Sequence, residues 1–360
     1  MKRGFLSQSN SAELNRNSVL RYVKGCIKTS RTEIWSSMNI SRASVTQIIR
    51  ELEETGFVRD TGEKKPGMRR MSRYLCFNNN VRFMYIFNWS SRSICLVNLG
   101  GDVLKSLVLE FPHGCIPAQF VAIVLNGIER LEKLYPVSEE LILGLGIILP
   151  GIIDSRHLKV IYSVEMGWRN VDISELFQER FDGKLFLERW SNMLALGENI
   201  FGATRNYTHS VLVLIENEGV GLSSVIRGDC HHGSNYMFGE LGHIKLQSSV
   251  MCSCGQRGCL EAVIRESMSR NNNILTDEVM EYMAIGVSTA VNLLDPGIVL
   301  LYGKLLSSLT KESQEKLLNR ILSKITSEQT RSLKLVISQD DGLIGVKGMS
   351  AYIYDCSFPI

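Results

Sequence analysis

The most constraining feature of this sequence is a compact group of one histidine and three cysteines. Its members are His243, Cys252, Cys254 and Cys259, spaced as H-x8-C-x-C-x4-C. A tetrahedral zinc ion takes four such ligands at about 2.0–2.3 Å, and a Cys3His set leaves no open position. Gly255 and Gly258 let the backbone turn tightly around an ion. The pattern therefore predicts a structural Zn²⁺ site; a chance pair of loop thiols beside an unrelated histidine is disfavoured by the spacing.

Length, cysteine usage and charge limit the class of protein. The chain has 360 residues, 44% of them hydrophobic, which predicts two or three domains with sizeable cores. Nine cysteines without an apolar signal segment predict reduced thiols in the cytoplasm. No stretch approaches the about 20 apolar residues of a membrane span, so we expect no membrane partner. Residues 1–75 contain 15 Lys and Arg against 7 Asp and Glu, a net charge of +8, and the remainder has 25 against 30, a net charge of −5. A basic N-terminal part on an acidic body predicts a polyanionic partner.

Residues 1–77 have the pattern of a winged helix-turn-helix domain. We expect residues 1–10 to be loose and a first helix to follow, with one face formed by Val19, Val23 and Ile27. A short helix over 31–38, a turn at 39–41 and a longer helix over 41–55 come next, with Ser41 as N-cap and Gly56 just past the end. The buried stripe of the longer helix is Val45, Ile48, Ile49 and Leu52.

The opposite face of the longer helix carries hydrogen-bonding side chains suited to base edges in the major groove. The residues expected there are Arg42, Ser44, Thr46, Gln47 and Arg50. Two strands, at 57–59 and 74–77, enclose a basic hairpin that predicts a wing on the phosphates. The wing residues are Lys64, Lys65, Arg69 and Arg70. The alternative is a small helical domain with a solvated basic face; spacing, wing and charge together favour binding to double-stranded DNA.

Two further motifs support a resemblance to a known family. Gly-Glu-Leu-Gly-His at 239–243 and Cys-Ser-Cys-Gly-Gln-Arg-Gly-Cys-Leu-Glu at 252–261 resemble the signature of the ROK family of sugar kinases and sugar-responsive repressors. The resemblance implies an α/β fold in which the winged helix-turn-helix precedes a two-lobed, actin/hexokinase-like (ribonuclease H-like) domain. We expect 1–77 to bind DNA, 81–198 to form a first lobe with a C-terminal return at 343–360, and 199–342 to form a second lobe with the zinc site.

The residues that phosphoryl transfer requires in this family are replaced. Residues 88–92 align with the Asp-x-Gly-Gly-Thr phosphate loop but lack its acid and both glycines. Trp190 stands at the catalytic Asp, and an indole cannot accept a proton. Glu218 stands at a phosphate-loop Thr and would repel a phosphate, and of the glycine pair under the adenine Gly303 remains. The resemblance therefore implies a protein that is not an enzyme.

The family's sugar contacts are partly retained. The resemblance implies ligand contacts from Glu240, His243 and Glu261, with Asn170 in a Gly-Trp-x-Asn-Val segment and Arg189 at the position of a sugar-binding Asn. An alternative is that the two glutamates only brace the zinc loop. An arginine in the pocket could instead favour a sugar phosphate or an acidic sugar. We expect His231 and His232, before Glu240, to be solvated surface residues.

These patterns predict a DNA-binding transcriptional regulator, and we expect it to be a repressor of carbohydrate genes. Its partners would be an operator, a sugar or sugar-phosphate effector, and further copies of itself in a homodimer or homotetramer. A ligand that prefers one arrangement of the lobes would change the spacing of two winged helices and so the operator affinity. The alternatives are an ATP-dependent sugar kinase with an appended helix-turn-helix domain, and a constitutive DNA-binding scaffold whose pocket has closed.

Overall fold

The computed structural model describes residues 8–64, 73–178, 180–216, 219–271, 275–307, 309–326, 332–338 and 342–360. The helices are α1 (Gln8–Gly25), α2 (Arg31–Ser37), α3 (Arg42–Glu54), α4 (Pro117–Leu134), α5 (Ile173–Phe177), α6 (Trp190–Phe201), α7 (Leu260–Arg270), α8 (Asp277–Leu294), α9 (Lys304–Ser307), α10 (Lys311–Leu322) and α11 (Ile344–Ser357). Within the described ranges, no helix combines the length and apolarity needed to cross a bilayer.

The strands of the described residues form four sheets. They are β1 (Val58–Lys64), β2 (Arg73–Phe77), β3 (Phe83–Asn88), β4 (Ser93–Asn98), β5 (Val103–Val108), β6 (Ile142–Leu149), β7 (Ile152–Asp154), β8 (Lys159–Ser163), β9 (Trp168–Asp172), β10 (Leu185–Arg189), β11 (His209–Glu216), β12 (Gly219–Ile226), β13 (Asp229–Cys230), β14 (Ile298–Tyr302) and β15 (Lys334–Ile337).

The N-terminal helices and the β1–β2 hairpin form the winged helix-turn-helix that the sequence predicts. Ser41 caps α3, because its hydroxyl accepts the backbone N–H of Ser44 at 3.1 Å. All four residues of the expected stripe, Val45, Ile48, Ile49 and Leu52, are buried. They pack with Leu20 of α1 and Ile34 of α2, so the three helices share one apolar core.

The first helix differs from the prediction at both ends. It begins at Gln8, inside the segment that we expected to be loose, and it ends at Gly25. Ile27 therefore lies outside the helix and is 97% exposed. The cause is a backbone bridge in which Thr29 N donates to Leu75 O at 2.9 Å and Leu75 N donates to Thr29 O at 2.7 Å. This bridge turns the chain toward β2 before Ile27 can continue the buried face.

Two five-stranded sheets form the body and have matching topologies. The first sheet has the order β10-β6-β3-β4-β5 and the second has the order β13-β12-β11-β14-β15. In the first, β3 and β4 are antiparallel whereas β6 and β10 add in parallel; in the second, β11 and β12 are antiparallel whereas β14 and β15 add in parallel. This duplicated arrangement is the two-lobed fold that the resemblance implies. The expected lobe boundary at 198/199 falls within α6, which extends from one sheet toward the other.

Helix α11 joins the C-terminus to both the body and the N-terminal domain. A Cβ atom added at Gly348 would lie 2.0 Å from the carbonyl oxygen of Met193 in α6, so only glycine permits this approach of the two helices. At its far end, Asp355 pairs with Arg21 of α1 at 2.8 Å. The ring of Phe358 contacts Phe57 edge-on, with centroids 5.3 Å apart. The N-terminal domain therefore packs on the helix that also packs on α6.

Candidate functional site

The predicted zinc ligands come together in the loop between a 3₁₀ turn at Leu241–His243 and helix α7. Ligand atoms of His243, Cys252, Cys254 and Cys259 all lie within 4.8 Å of one another. The sulfurs of Cys254 and Cys259 are 3.6 Å apart, and the sulfur of Cys252 is 3.8 Å from Nδ1 of His243. A tetrahedron with bonds of 2.0–2.3 Å has edges of about 3.3–3.8 Å. The donor set and its spacing therefore fit a structural zinc ion.

The loop around these ligands depends on one glycine. Gly258 has a φ of +73°, and a Cβ atom there would lie 2.4 Å from the carbonyl oxygen of Leu246. Burial raises the pKa of the Cys252 thiol to about 12, whereas the backbone N–H of Gln256 lowers the pKa of the exposed Cys254. Lys245 donates to the sulfur of Cys259 at 2.9 Å, which offsets part of the charge of a thiolate cluster.

The residues that the sequence predicts to contact a sugar lie in or around the Cys3His cluster. His243 turns Nδ1 toward Cys252 and has Nε2 3.7 Å from Oε2 of Glu240. Glu261, at the start of α7, accepts from the Cys252 thiol at 3.2 Å. Arg189, at the end of β10, pairs with Oε1 of Glu240 at 3.1 Å. Asn170 is exposed in β9 with a φ of +50°, and none of these contacts includes it.

A buried ion pair lies next to this group, and its histidine was assigned wrongly from the sequence. Glu188 is fully buried, and Oε1 accepts from Ser155 at 2.6 Å and pairs with Nε2 of His232 at 2.5 Å. Burial alone would raise the pKa of Glu188, but its hydrogen bonds with His232 and Ser155 lower that pKa. The hydrogen bond between His232 and Glu188 also raises the pKa of His232. His232 is therefore not a solvated surface residue as predicted. His231 is exposed as expected, with its ring against Phe238. The sequence signal that could have indicated this ion pair is a single Glu near the end of an apolar strand, because a buried carboxylate requires a partner.

Aromatic side chains fill the turn that aligns with a kinase phosphate loop. Trp89 is 5% exposed and packs on Phe87 and Phe120. Its indole N–H donates to Glu165 at 2.6 Å, and Arg92 covers its ring at 4.2 Å. This turn is therefore packed with large side chains, whereas a glycine loop leaves its backbone open to a phosphate. Trp190 packs against the apolar cluster of Leu194 and Ile344, and Glu218 lies outside the described residues.

The polar face of α3 is exposed as predicted. Arg42, Ser44, Thr46, Gln47 and Arg50 are all exposed. The guanidinium of Arg42 lies 4.0 Å over the ring of Trp35 in α2. Gln47 donates to Glu51 and Arg50 to Glu54 along the same helix, at 2.8 and 2.9 Å. Of the wing residues, Lys64 is the last residue of β1, and Lys65, Arg69 and Arg70 lie outside the described residues.

The domain order and the metal loop define a ROK protein with a DNA-binding domain. The ROK family model matches residues 93–271, and the MarR family model matches residues 20–61, which lie in the helix-turn-helix. The chain belongs to the ROK family.

The relatives of this chain include regulators, and the matched solved structures include kinases. The xylose repressor of Bacillus subtilis (strain 168) is 23% identical over 95% of both chains. The DNA-binding transcriptional dual regulator NagC of Escherichia coli (strain K12) is 28% identical over 70% of this chain and 62% of its own. A ROK family transcriptional regulator described as a homolog of the E. coli MLC protein has the same fold, with a TM-score of 0.77 at 21% identity over 97% and 98% of the chains. A ROK hexokinase from Thermus thermophilus matches 75% of this chain and 96% of its own, with a TM-score of 0.60 at 23% identity.

Proposed function

We propose that this protein is a sequence-specific DNA-binding repressor of carbohydrate genes whose ROK domain senses a sugar or sugar derivative without phosphorylating it. The observation that carries the proposal is the exposed, hydrogen-bonding face of α3 on a winged helix packed against a ROK body. The repressor names of its relatives point the same way. The operator would be double-stranded DNA, and the protein would act in the cytoplasm as a homodimer or homotetramer.

Base contacts are assigned to the N-terminal half of α3. Arg42, Ser44 and Thr46 project from its first turns, near the end of the helix that enters the groove in helix-turn-helix proteins. The C-terminal half carries Glu51, Glu53 and Glu54, which would repel phosphates. Phosphate contacts are assigned to the wing residues Lys64, Lys65, Arg69 and Arg70.

Selection of binding sites from a random duplex library tests the DNA-binding function. We expect a defined, two-fold-related sequence to be enriched, because two winged helices of a dimer bind two half-sites. Lys65→Ala should weaken binding to all sequences and reduce the slope of log K against log salt by roughly one. Failure of the full-length protein to retain any duplex at low ionic strength would contradict the proposal.

The sensor function is assigned to Glu240, His243 and Glu261, with Arg189 and Asn170 as further ligand residues. A structural zinc ion is assigned to His243, Cys252, Cys254 and Cys259. A bound zinc would fix His243 through Nδ1 and leave Nε2 facing Glu240. The lobes proposed above, 81–198 with 343–360 and 199–342, would change their arrangement with ligand. Helix α11 supports linkage to DNA, since it contacts α6, next to these residues, and Arg21 of the N-terminal domain.

The absence of kinase activity is supported by two indoles. Trp190 replaces the base that would take a hydroxyl proton, and Trp89 fills the phosphate-loop turn. An ATP-consumption assay across a panel of hexoses and pentoses tests this directly. We expect no turnover above the rate of a Glu240→Gln variant, and turnover at an enzymatic rate would instead support the kinase alternative.

A further inference from the structure

Side chains of this protein bridge the space between its two five-stranded sheets. We define the intersheet cleft by the end of β10 and the start of α6 on one side, and by β12 and residues 231–243 on the other. The hydroxyl of Ser223 in β12 donates to Asn192 in α6 at 2.8 Å. His232 reaches Glu188 across the cleft. These contacts join the two sides of the cleft.

Arg189 makes the most extensive of the bridging contacts. Its side chain is 13% exposed. Nη1 donates to Glu240 at 3.1 Å, and Nη2 donates to the carbonyl oxygens of Phe238 and Leu222 at 2.8 and 3.2 Å. All three acceptors belong to the opposite side of the cleft from Arg189. The guanidinium is therefore anchored by an ion pair and two backbone contacts, which is a rigid geometry for this forked group.

This anchoring engages the carboxylate that the proposed sensor site offers to sugar hydroxyls. Oε1 of Glu240 accepts from Arg189, and Oε2 faces His243 at 3.7 Å. A neutral sugar that used Oε1 would have to displace the guanidinium. The displaced state leaves the carbonyl oxygens of Phe238 and Leu222 without this donor, and a buried acceptor that loses its donor costs free energy. The affinity of such a ligand is reduced by the free energy of opening these contacts.

We propose that Arg189 is an internal competitor for Glu240: it keeps the intersheet cleft closed in the ligand-free protein and sets the threshold that a neutral sugar has to overcome. Arg189 then acts against the ligand instead of contacting it, which differs from the ligand contact expected from the sequence. The inference rests on the proposed sensor function for its sugar-binding part. The closure of the cleft by Arg189 stands on the contacts alone.

The ligand-free part is tested by hydrogen–deuterium exchange of the full-length protein. In Arg189→Asn, which removes the charge but keeps an amide donor, we expect residues 231–243 to exchange at least about tenfold faster than in the wild type. Glu240→Gln should speed exchange of the same residues to a smaller extent, because Arg189 keeps its contacts to the carbonyl oxygens of Phe238 and Leu222. The double variant should exchange no faster than Arg189→Asn, because Arg189→Asn already removes the contact to Glu240. Arg169→Asn is the matched control. Arg169 is exposed on β9 and stacks on Tyr162, so this substitution should leave the hydrogen–deuterium exchange of residues 231–243 unchanged. Unchanged exchange of 231–243 in Arg189→Asn would overturn the proposal.

The sugar-binding part is tested by calorimetry with xylose, glucose and N-acetylglucosamine. We expect Arg189→Asn to bind at least one of them about tenfold or more tightly than the wild type, and Arg189→Lys, which keeps the charge, to bind less tightly than Arg189→Asn. Equal or weaker binding by Arg189→Asn contradicts competition. Faster exchange without binding of any sugar by either protein would contradict the proposed sensor function while leaving the closure supported. Circular dichroism and zinc content establish that each variant is folded.

Discussion

At the scale of single residues, the structure gives Arg42 a partner that the sequence pattern did not indicate. Trp35 precedes the turn of the helix-turn-helix, and its ring lies 4.0 Å beneath the guanidinium of Arg42. A stacked arginine loses less conformational freedom when it binds a base edge, since its plane is already oriented. Trp35 is therefore expected to orient Arg42, for which a base contact is proposed, without touching DNA itself.

We predict that Arg42→Ala weakens operator binding by about 1–3 kcal/mol and relaxes the preference for one base pair. Trp35→Ala should produce a smaller loss of the same base preference, because Arg42 keeps its charge and loses its orientation. Fluorescence anisotropy with the selected operator and its single-base variants measures both effects. Lys311→Ala, at an exposed site on α10, is the control. Full operator binding by Arg42→Ala would show that α3 has been assigned the wrong role.

The proposed zinc ligands lead to a second prediction at this scale. Cys254→Ser removes one of four donors while leaving a side chain of similar size, so zinc content should fall well below one ion per chain. The thermal midpoint should fall with it, since metal binding stabilises only the folded loop. Elemental analysis and thermal unfolding with and without a chelator measure these outcomes. Cys356→Ser, an exposed cysteine outside the cluster, should change neither. A zinc content in Cys254→Ser equal to that of the wild type would exclude Cys254 as a ligand.

At the scale of secondary-structure elements, the pairing of α6 with α11 organises the molecule. Glycines on both helices permit it: Gly197 lies against the carbonyl oxygen of Ile344, and Gly348 lies against that of Met193. Helix α6 begins directly after Arg189, and the last turns of α11 contact α1 of the DNA-binding domain through the pair of Asp355 and Arg21. A shift of α6 would therefore be transmitted to α11 as a rigid displacement, because closely packed backbones cannot slide independently.

We predict that Gly348→Ala destabilises the protein by about 1–3 kcal/mol or more, because the added methyl group overlaps a backbone oxygen that cannot rotate away. Gly221→Ala is a suitable control, since a Cβ atom there meets no atom within 4 Å. Urea unfolding followed by circular dichroism gives both free energies. Equal stability of the two variants would contradict the close approach of α6 and α11.

At the scale of the whole molecule, the ion pair of Glu188 and His232 makes stability depend on pH. The pKa of His232 is raised by its hydrogen bond to Glu188, so its contribution is complete below the ordinary value of 6.5 and is lost as pH rises through the raised pKa. The pKa of Glu188 is lowered, so its contribution is present above 4.5 and is lost as pH falls through the lowered pKa. The positive charge of Arg189 opposes the charge of His232 without reversing this direction.

We therefore predict that the contribution of this pair to the free energy of unfolding is highest between pH 4.5 and pH 6.5 and falls as the pH rises above that window. His232→Gln should lower stability within the window and flatten the dependence above it, because glutamine does not titrate. Denaturant unfolding in buffers on either side of pH 6.5 measures the slope. His113→Gln, at an exposed histidine, should retain the wild-type dependence. An unchanged slope in His232→Gln would assign the dependence to other groups.

The sequence by itself determined that a winged helix-turn-helix precedes the two-lobed body, that α3 exposes a polar face, and that one histidine and three cysteines come together. These features depend on local spacing: a buried stripe along α3, a capping serine, and one histidine and three cysteines within one short segment. The tertiary structure decided where α1 ends, why Glu188 requires His232, and that Arg189 is bound to Glu240. Each of these features depends on a contact between residues far apart in the chain, either the bridge from Thr29 to Leu75 or a contact across the intersheet cleft. Periodicity carries no information about such contacts, because they arise only when the two sheets and α11 have packed together.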